Sequence, residues 1–147
     1  MKKSNNLLIV GIGNNTREDD GLGWNFLDLL KTKGFKEEQL VYKYQLMVED
    51  AELISHYKKV FFVDACKSDL QHGFSIEKLA PSNQVAFSTH SVPPNQILNL
   101  CETIYNHFPE SYVIKIKGVQ WDYHIGLSTE AEDNLKNAFL EFTENYV

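Results

Sequence analysis

Three positions of the sequence carry residue types that can bind a divalent metal ion. A run of three acids, Glu18, Asp19 and Asp20, follows an apolar segment at residues 7–10. Asp64 comes directly after a second apolar segment, and His90 lies in a polar stretch. Two carboxylates and an imidazole form a mixed oxygen and nitrogen donor set that suits borderline divalent metals. Three protein ligands also leave coordination positions open, as in metal sites that do chemistry.

Each position also has a structural interpretation. Carboxylates close to a helix N-terminus complement the helix dipole, an aspartate after a strand often caps a turn, and a lone loop histidine is seldom a ligand. Three adjacent carboxylates repel one another, however, and this favours a bound cation. The functional interpretation depends on all three positions meeting beyond the carboxyl ends of strands, where open α/β sheets bind ligands.

Strand and helix patterns alternate along the chain, which predicts an α/β fold with a mostly parallel, doubly wound sheet of about five strands flanked by helices. The length fits a single domain over residues 1–147. Apolar patterns predict strands at residues 7–12, 39–46, 60–64, 74–79 and 113–119. They predict helices from Leu22 to near Gly34, over residues 50–56, over 93–108, and from Thr129 onward, where Thr129 begins a capping-box pattern.

Composition excludes several classes of protein. The net charge is −6, with 14 basic and 20 acidic residues and no basic run, so we do not expect a nucleic-acid partner. No segment approaches the roughly 18 apolar residues of a membrane span, so we do not expect membrane insertion. Cys66 and Cys101 have no CxxC spacing, and the apolar run after Lys3 is too short for a signal peptide. These features predict a cytoplasmic protein.

Common catalytic and phosphate-binding motifs are missing from the sequence. No GxSxG nucleophile motif is present. Gly11 and Gly13 lack the third glycine of a dinucleotide-binding turn, because position 16 is threonine, and no Walker A lysine follows them.

A phosphorylatable receiver domain is an alternative interpretation. Such domains also combine an acidic pair after the first strand with an aspartate at the end of the third, and Lys115 or Lys117 lies in the last strand, where a receiver has a lysine. Against this interpretation, residues 13–17 separate the acids from the first strand, and His90 has no role in a receiver. We therefore rank it second.

Four segments together resemble the [NiFe] hydrogenase maturation endopeptidases, and they run nearly the length of the chain. GIGNNTREDDGLG at 11–23 is similar to the opening glycine, asparagine and double-acid signature of that family. VFFVDA at 60–65 resembles its second acidic motif, and THSVPP at 89–94 resembles its histidine loop. Gly118 with HIGLS at 124–128 resembles its closing segment.

The resemblance implies a single α/β domain in which Asp20, Asp64 and His90 are both the metal ligands and the catalytic residues. Asp19 is the neighbouring candidate for the first ligand. The implied partner is the precursor of the hydrogenase large subunit, cut once near its C-terminus after its nickel-binding cysteine motif. The implied cofactor is nickel, carried by this substrate and shared with the enzyme.

The same resemblance leaves questions about mechanism and specificity. Hydrolysis without a serine or cysteine nucleophile needs an activated water or a polarised carbonyl, and Asp19 is a candidate general base. Residues 121–124, with Trp121 and Tyr123, form either a peptide-binding cleft or a surface loop with packed aromatic rings. Arg17 lies in a loop more polar than that of many family members, and this loop could help to select the hydrogenase. A nickel-sensing protein of the same fold that does not cut is the alternative function.

Overall fold

The protein folds around one five-stranded sheet, and its computed structural model describes residues 6–83 and 92–147. The strands are β1 (Leu7–Ile12), β2 (Leu40–Lys43), β3 (Lys59–Cys66), β4 (Phe74–Leu79) and β5 (Glu110–Lys117), in the spatial order β2-β1-β3-β5-β4. All neighbours are parallel except β4, which runs antiparallel to β5. The helices are α1 (Leu22–Thr32), α2 (Asp50–Ser55), α3 (Pro94–Tyr105) and α4 (Thr129–Asn145). The predicted α/β fold with a mostly parallel sheet is confirmed.

Both faces of the sheet are covered by helices, which explains why its central strands are almost continuously apolar. Side chains alternate between the faces, so that Ile9 of β1 lies in one core while Leu8 and Val10 lie in the other. Helices α1 and α4 fill the first core, and α2 and α3 fill the second. None of the helices in the described part of the chain is long and apolar enough to cross a membrane.

Strand β3 continues past the position where the sequence predicts its end. It pairs with β1 only as far as Val63, opposite Gly11, but with β5 as far as Cys66, opposite Lys117. Asp64 therefore lies within the strand, at the first position that no longer pairs with β1. The prediction that Asp64 ends the strand is wrong, because the pairing with β5 extends the ladder beyond it.

Two helix predictions are also corrected. Helix α4 is capped by Ser128, whose side chain accepts a hydrogen bond from the Ala131 N–H at 3.1 Å, so the capping box predicted from Thr129 is off by one residue. Of the predicted apolar face of α3, only Ile97, Leu98 and Cys101 are buried. The helix ends at Tyr105, after which Asn106 adopts a left-handed conformation, and Ile104 is 60% exposed.

Candidate functional site

A tight turn after β1 returns the acids to the end of that strand. Gly13 has a φ of 145°, and a Cβ there would lie 2.0 Å from the carbonyl oxygen of Asp20. That oxygen accepts a hydrogen bond from the Asn14 N–H at 3.0 Å. Residues 13–17, which separate the acids from β1 in sequence, therefore form a loop that closes on itself. It brings the 3₁₀ turn Glu18–Gly21 back against the sheet.

Helix α1 then begins directly above the strand ends. A Cβ at Gly23 would lie 2.6 Å from the carbonyl oxygens of both Ile12 and Val63. Only a glycine allows the helix to approach β1 and β3 this closely. The glycines of the opening motif therefore place Asp20 beside Asp64, across the carboxyl edge of the sheet.

Asp20 and Asp64 together line two cavities. One, of about 440 Å³, is also lined by Leu46 and by Val92, Pro93 and Pro94 at the start of α3, and we call it the proline compartment. The other, of about 330 Å³, is also lined by Arg17, Ala65, Cys66, Lys67 and Trp121, and we call it the tryptophan compartment. The structure thus brings these two predicted site residues together.

Both carboxyl groups are harder to ionise than an ordinary aspartate. Burial raises the pKa of Asp64 to about 7; the Ala65 N–H, which donates to its Oδ1 at 2.8 Å, lowers it, and the charge of Asp20 adds to the rise. Burial also raises the pKa of Asp20, against the opposing effects of Arg17, the Asn14 N–H and Lys67. Two partly buried carboxyls with raised pKa values in one cleft are typical of a functional site.

Asp19 has a different environment, although it is adjacent to Asp20. It is fully buried, and Oδ2 accepts hydrogen bonds from the Val119 N–H (2.7 Å), the Gln120 N–H (2.9 Å) and the Ser128 hydroxyl (2.7 Å). Oδ1 accepts one from the Ser128 N–H at 2.8 Å. Burial acts to raise the pKa of Asp19, but these four hydrogen bonds lower it overall.

Asp19 is therefore neither a general base nor a metal ligand. Its oxygens accept hydrogen bonds from four donors, its pKa is lowered, and it lines neither compartment. The prediction that Asp19 is a candidate base, and the alternative that it is the first metal ligand, are both wrong. The physical reason is that donors from a segment about 100 residues away occupy both carboxylate oxygens and stabilise the ionised form.

Glu18 fixes the same segment from the outside. Its Oε1 accepts a hydrogen bond from the Asp122 N–H at 2.8 Å, and its own N–H donates to the His124 carbonyl at 2.8 Å. Two of the three consecutive acids therefore anchor residues 118–128, which we call the closing segment. Only Asp20 faces the compartments.

Comparison with known proteins finds similar folds among solved structures. No protein-family model and no curated protein sequence matches the chain. Hydrogenase maturating endopeptidase HybD from E. coli superposes with a TM-score of 0.72 at 16% identity, over 95% of this chain and 93% of that one. The [NiFe] hydrogenase maturation protease HycI from Thermococcus kodakarensis KOD1 superposes with a TM-score of 0.69 at 22% identity, over 95% and 91%.

A third similar structure is the hydrogenase 2 maturation peptidase from Thaumarchaeota archaeon SCGC_AB-539-E09, with a TM-score of 0.65 at 21% identity over 94% and 95% of the two chains. The chain has the hydrogenase maturation protease fold. This confirms the fold that the four sequence segments imply. The carboxylate pair lies at the carboxyl edge of this fold, where α/β sheets bind ligands.

The sheet order of this protease fold excludes the receiver interpretation. The receiver-type order is 2-1-3-4-5, whereas here β5 lies between β3 and an antiparallel edge strand β4. The lysines are also engaged elsewhere, because Lys115 pairs with Glu77 at 3.7 Å and Lys117 with Asp69 at 2.7 Å.

His90 lies outside the described residues, so its predicted role as a ligand stays a prediction. Val92 and Pro93, which follow it, line the proline compartment with Asp20 and Asp64. Within residues 6–83 and 92–147, no group of three or more His, Cys, Asp or Glu side chains could hold a metal ion.

Sequence reasoning gave Arg17 only a loop role and missed Lys67. Both side chains line the tryptophan compartment beside Asp20. The only signal for Arg17 is its place inside the opening motif, three residues before Asp20. Trp121, predicted either to line a cleft or to pack on the surface, lines this compartment, whereas Tyr123 is 76% exposed.

Proposed function

We propose that the protein is an endopeptidase that removes the C-terminal peptide of the nickel-loaded [NiFe] hydrogenase large-subunit precursor. The observation that carries this proposal is the carboxylate pair, Asp20 and Asp64, shared by two cavities at the carboxyl edge of a hydrogenase maturation protease fold. Similar solved structures are named as maturation proteases of hydrogenases. The four sequence segments that resemble that family point to the same activity.

Asp20, Asp64 and His90 are the proposed ligands for the substrate's nickel. His90 precedes by two residues Val92, which lines the proline compartment beside both carboxylates. Carboxylate oxygens and an imidazole nitrogen fit a borderline divalent ion. The raised pKa values of both aspartates support this role, because burial disfavours their ionised forms, the charge of Asp20 adds to the effect at Asp64, and a bound divalent cation would stabilise both ionised carboxylates.

The proposed ligands would act by placing the substrate. When bound, the nickel supplies Lewis-acid polarisation. Asp20, Asp64 and His90 would hold the precursor by the ion it already carries, which would keep the peptide following its cysteine motif close to the carboxylate pair. Cleavage then depends on nickel insertion. Since Asp19 is excluded as a base, Asp20 and Asp64 are the described carboxylates that can take a proton from the attacking water.

A nickel-sensing protein that does not cut remains the second candidate. The observation in its favour is that two adjacent carboxyl groups with raised pKa values are sufficient for metal binding and do not by themselves require cleavage. The two candidates differ in whether the precursor changes mass.

Mass spectrometry of the precursor separates the candidates. The nickel-loaded precursor should lose its C-terminal peptide when the protein is added, and the nickel-free precursor should not. Asp20→Asn and His90→Ala should abolish the loss. His107→Ala, at an exposed histidine of the loop between α3 and β5, is the matched control and should leave it intact. An unchanged mass for nickel-loaded precursors with the wild-type protein would favour the sensing role.

A further inference from the structure

The tryptophan compartment brings two basic side chains to the carboxylate pair. Arg17 and Lys67 both line it, and both lie close enough to Asp20 to lower the pKa of its carboxyl group. Among residues 6–83 and 92–147, neither forms an ion pair with a carboxylate. The chain as a whole has a net charge of −6. Two cations without ion pairs in one cavity of an acidic protein create a local attraction for an anion.

Aromatic rings of the closing segment hold both cations in place. The Lys67 Nζ lies 5.3 Å from the centre of the Trp121 ring, and the Arg17 Cζ lies 4.6 Å from the centre of the Tyr123 ring. Arg17 Nη2 donates to the Trp121 carbonyl oxygen at 3.1 Å, while its buried Nε has no hydrogen-bond partner among the described residues. The guanidinium group is thus oriented, yet it has N–H donors in excess of its acceptors.

The wall that carries these rings is itself anchored. Asp19 accepts hydrogen bonds from three backbone N–H groups of the closing segment, and Glu18 accepts a fourth. The Trp121 ring packs on Gly118, where a Cβ would lie 3.0 Å from the ring and 2.6 Å from the Asp19 Cβ. The compartment is therefore preorganised, and a ligand would not have to order it.

We propose that Arg17, Lys67 and Trp121 form an anion subsite that binds an oxygen anion of the substrate polypeptide beside the carboxylate pair. This proposal rests on the proposed function. Once Asp20 and Asp64 hold the substrate's divalent ion, that ion neutralises them, and the two cations are left to attract another anion. The carboxylate pair then holds the metal of the substrate, and the cation pair holds a negatively charged oxygen of the substrate.

Two groups of the substrate have this chemistry. One is an Asp or Glu side chain, bound before any reaction. The other is the oxygen of the scissile carbonyl. As the water oxygen bonds to the carbonyl carbon, the carbonyl electron pair moves onto that oxygen, and the proton of the water passes to a carboxylate of the site. The kinetic test below distinguishes these two sources.

A binding experiment on the Asp20→Asn/Asp64→Asn protein tests the subsite without nickel or proteolysis, because two neutral amides beside Arg17 and Lys67 stand in for the carboxylate pair neutralised by a metal ion. The chain has two tryptophans, and Trp24, whose Nε1 donates to the Lys43 carbonyl at 3.0 Å, is an internal control for Trp121. Acetate added at constant ionic strength should shift the Trp121 indole N–H signal saturably in an NMR titration, and the neutral analogue acetamide should not. Lys67→Gln, at an exposed side chain that leaves the fold intact, should weaken the acetate response at least about threefold.

Lys33→Gln is the charge-matched control, because it removes a surface cation on the opposite edge of the sheet. It should leave the acetate response unchanged. An equal shift at Trp24 and Trp121, an equal response to acetamide, or a full response in Lys67→Gln would each overturn the subsite.

Steady-state cleavage of the nickel-loaded precursor identifies the bound group. Arg17→Gln and Lys67→Gln should raise KM at unchanged kcat if the subsite holds a side-chain carboxylate. They should lower kcat at unchanged KM if it holds the carbonyl oxygen, by about tenfold or more for Arg17→Gln. Unchanged kinetics in both variants would overturn the proposal. If the wild-type protein cuts no precursor, the proposed function fails, and the acetate titration still decides whether the anion subsite exists.

Discussion

Asp19 and Asp20 are neighbours in sequence, but the fold uses them in opposite ways. Asp19 is fully buried, and four hydrogen bonds from the closing segment satisfy its carboxylate, which lowers its pKa. Asp20 lines two cavities beside Asp64, and burial raises its pKa. Hydrogen bonds stabilise the ionised form of Asp19, whereas burial disfavours the ionised form of Asp20. This difference separates a structural acid from a candidate ligand better than sequence position does.

Removal of Asp19 should cause the largest loss of stability. Asp19→Ala leaves three backbone N–H groups and the Ser128 hydroxyl without their acceptor. Each unsatisfied buried donor costs about 1–3 kcal/mol, so we expect a loss of about 4 kcal/mol in the free energy of unfolding. Urea denaturation followed by circular dichroism measures it. A loss below about 1 kcal/mol would show that the closing segment does not depend on Asp19.

Replacement of Asp64 should stabilise the protein, in contrast to replacement of Asp19, and the size of this effect should depend on pH. The pKa of Asp64 in the folded state is about 7, above the ordinary value of 3.8, so folding disfavours its ionised form. The resulting destabilisation is absent below pH 4, grows as the pH rises towards 7, and is complete above 7. Asp64→Asn should therefore stabilise the protein by about 2 kcal/mol at pH 8 and have little effect at pH 4. Thermal melts at the two pH values test this, and equal effects at both would contradict it.

Replacement of Asp20 should change stability less than either of these substitutions. The cationic neighbours Arg17 and Lys67 offset part of the effect of burial on Asp20. We expect Asp20→Asn to alter the free energy of unfolding by less than about 1 kcal/mol while abolishing cleavage of the precursor. Unfolding and cleavage measured on the same preparation would show the separation. A loss of stability as large as that of Asp19→Ala would erase the distinction between the two acids.

Metal binding by the free protein should change its stability least. The described part of the chain offers the two carboxylates and no larger group of metal-binding side chains. If the substrate completes the coordination sphere, Ni²⁺ alone should bind weakly and raise the melting temperature by only a few degrees at millimolar concentration. Calorimetric titration with Ni²⁺ measures the affinity. A zinc ion that copurifies with the protein and resists chelation would argue against a shared metal site.

Local patterns in the sequence predict most of the fold. Continuous apolar runs identify β1 and the centre of β3, and the spacing of Leu22, Phe26 and Leu30 identifies α1, whose buried side is made of these residues. Strand ends are predicted less well, because pairing with a neighbour decides them. The apolar run places Asp64 after its strand, whereas pairing with β5 extends the strand to Cys66.

The roles of the individual acids cannot be predicted from local sequence. The donors to Asp19 lie at positions 119, 120 and 128, about 100 residues away, and nothing in the run of three acids marks the middle one as the acid whose oxygens are occupied by hydrogen bonds. Arg17 and Lys67 are missed for the same reason, since they meet only after β1, β3 and the closing segment come together. The meeting of Asp20 with Asp64 is predicted from sequence, because each comes after an apolar run and open α/β sheets bind ligands beyond the carboxyl ends of their strands.

The affinity of the protein for the precursor, with and without nickel, tests the central claim most directly. If Asp20 and Asp64 hold the substrate's metal, the wild-type protein should bind the nickel-loaded precursor at least about tenfold more tightly than the nickel-free precursor. Asp20→Asn should bind both forms with the same affinity. Equal affinities for the two forms in the wild-type protein, or a nickel preference that survives in Asp20→Asn, would contradict the account.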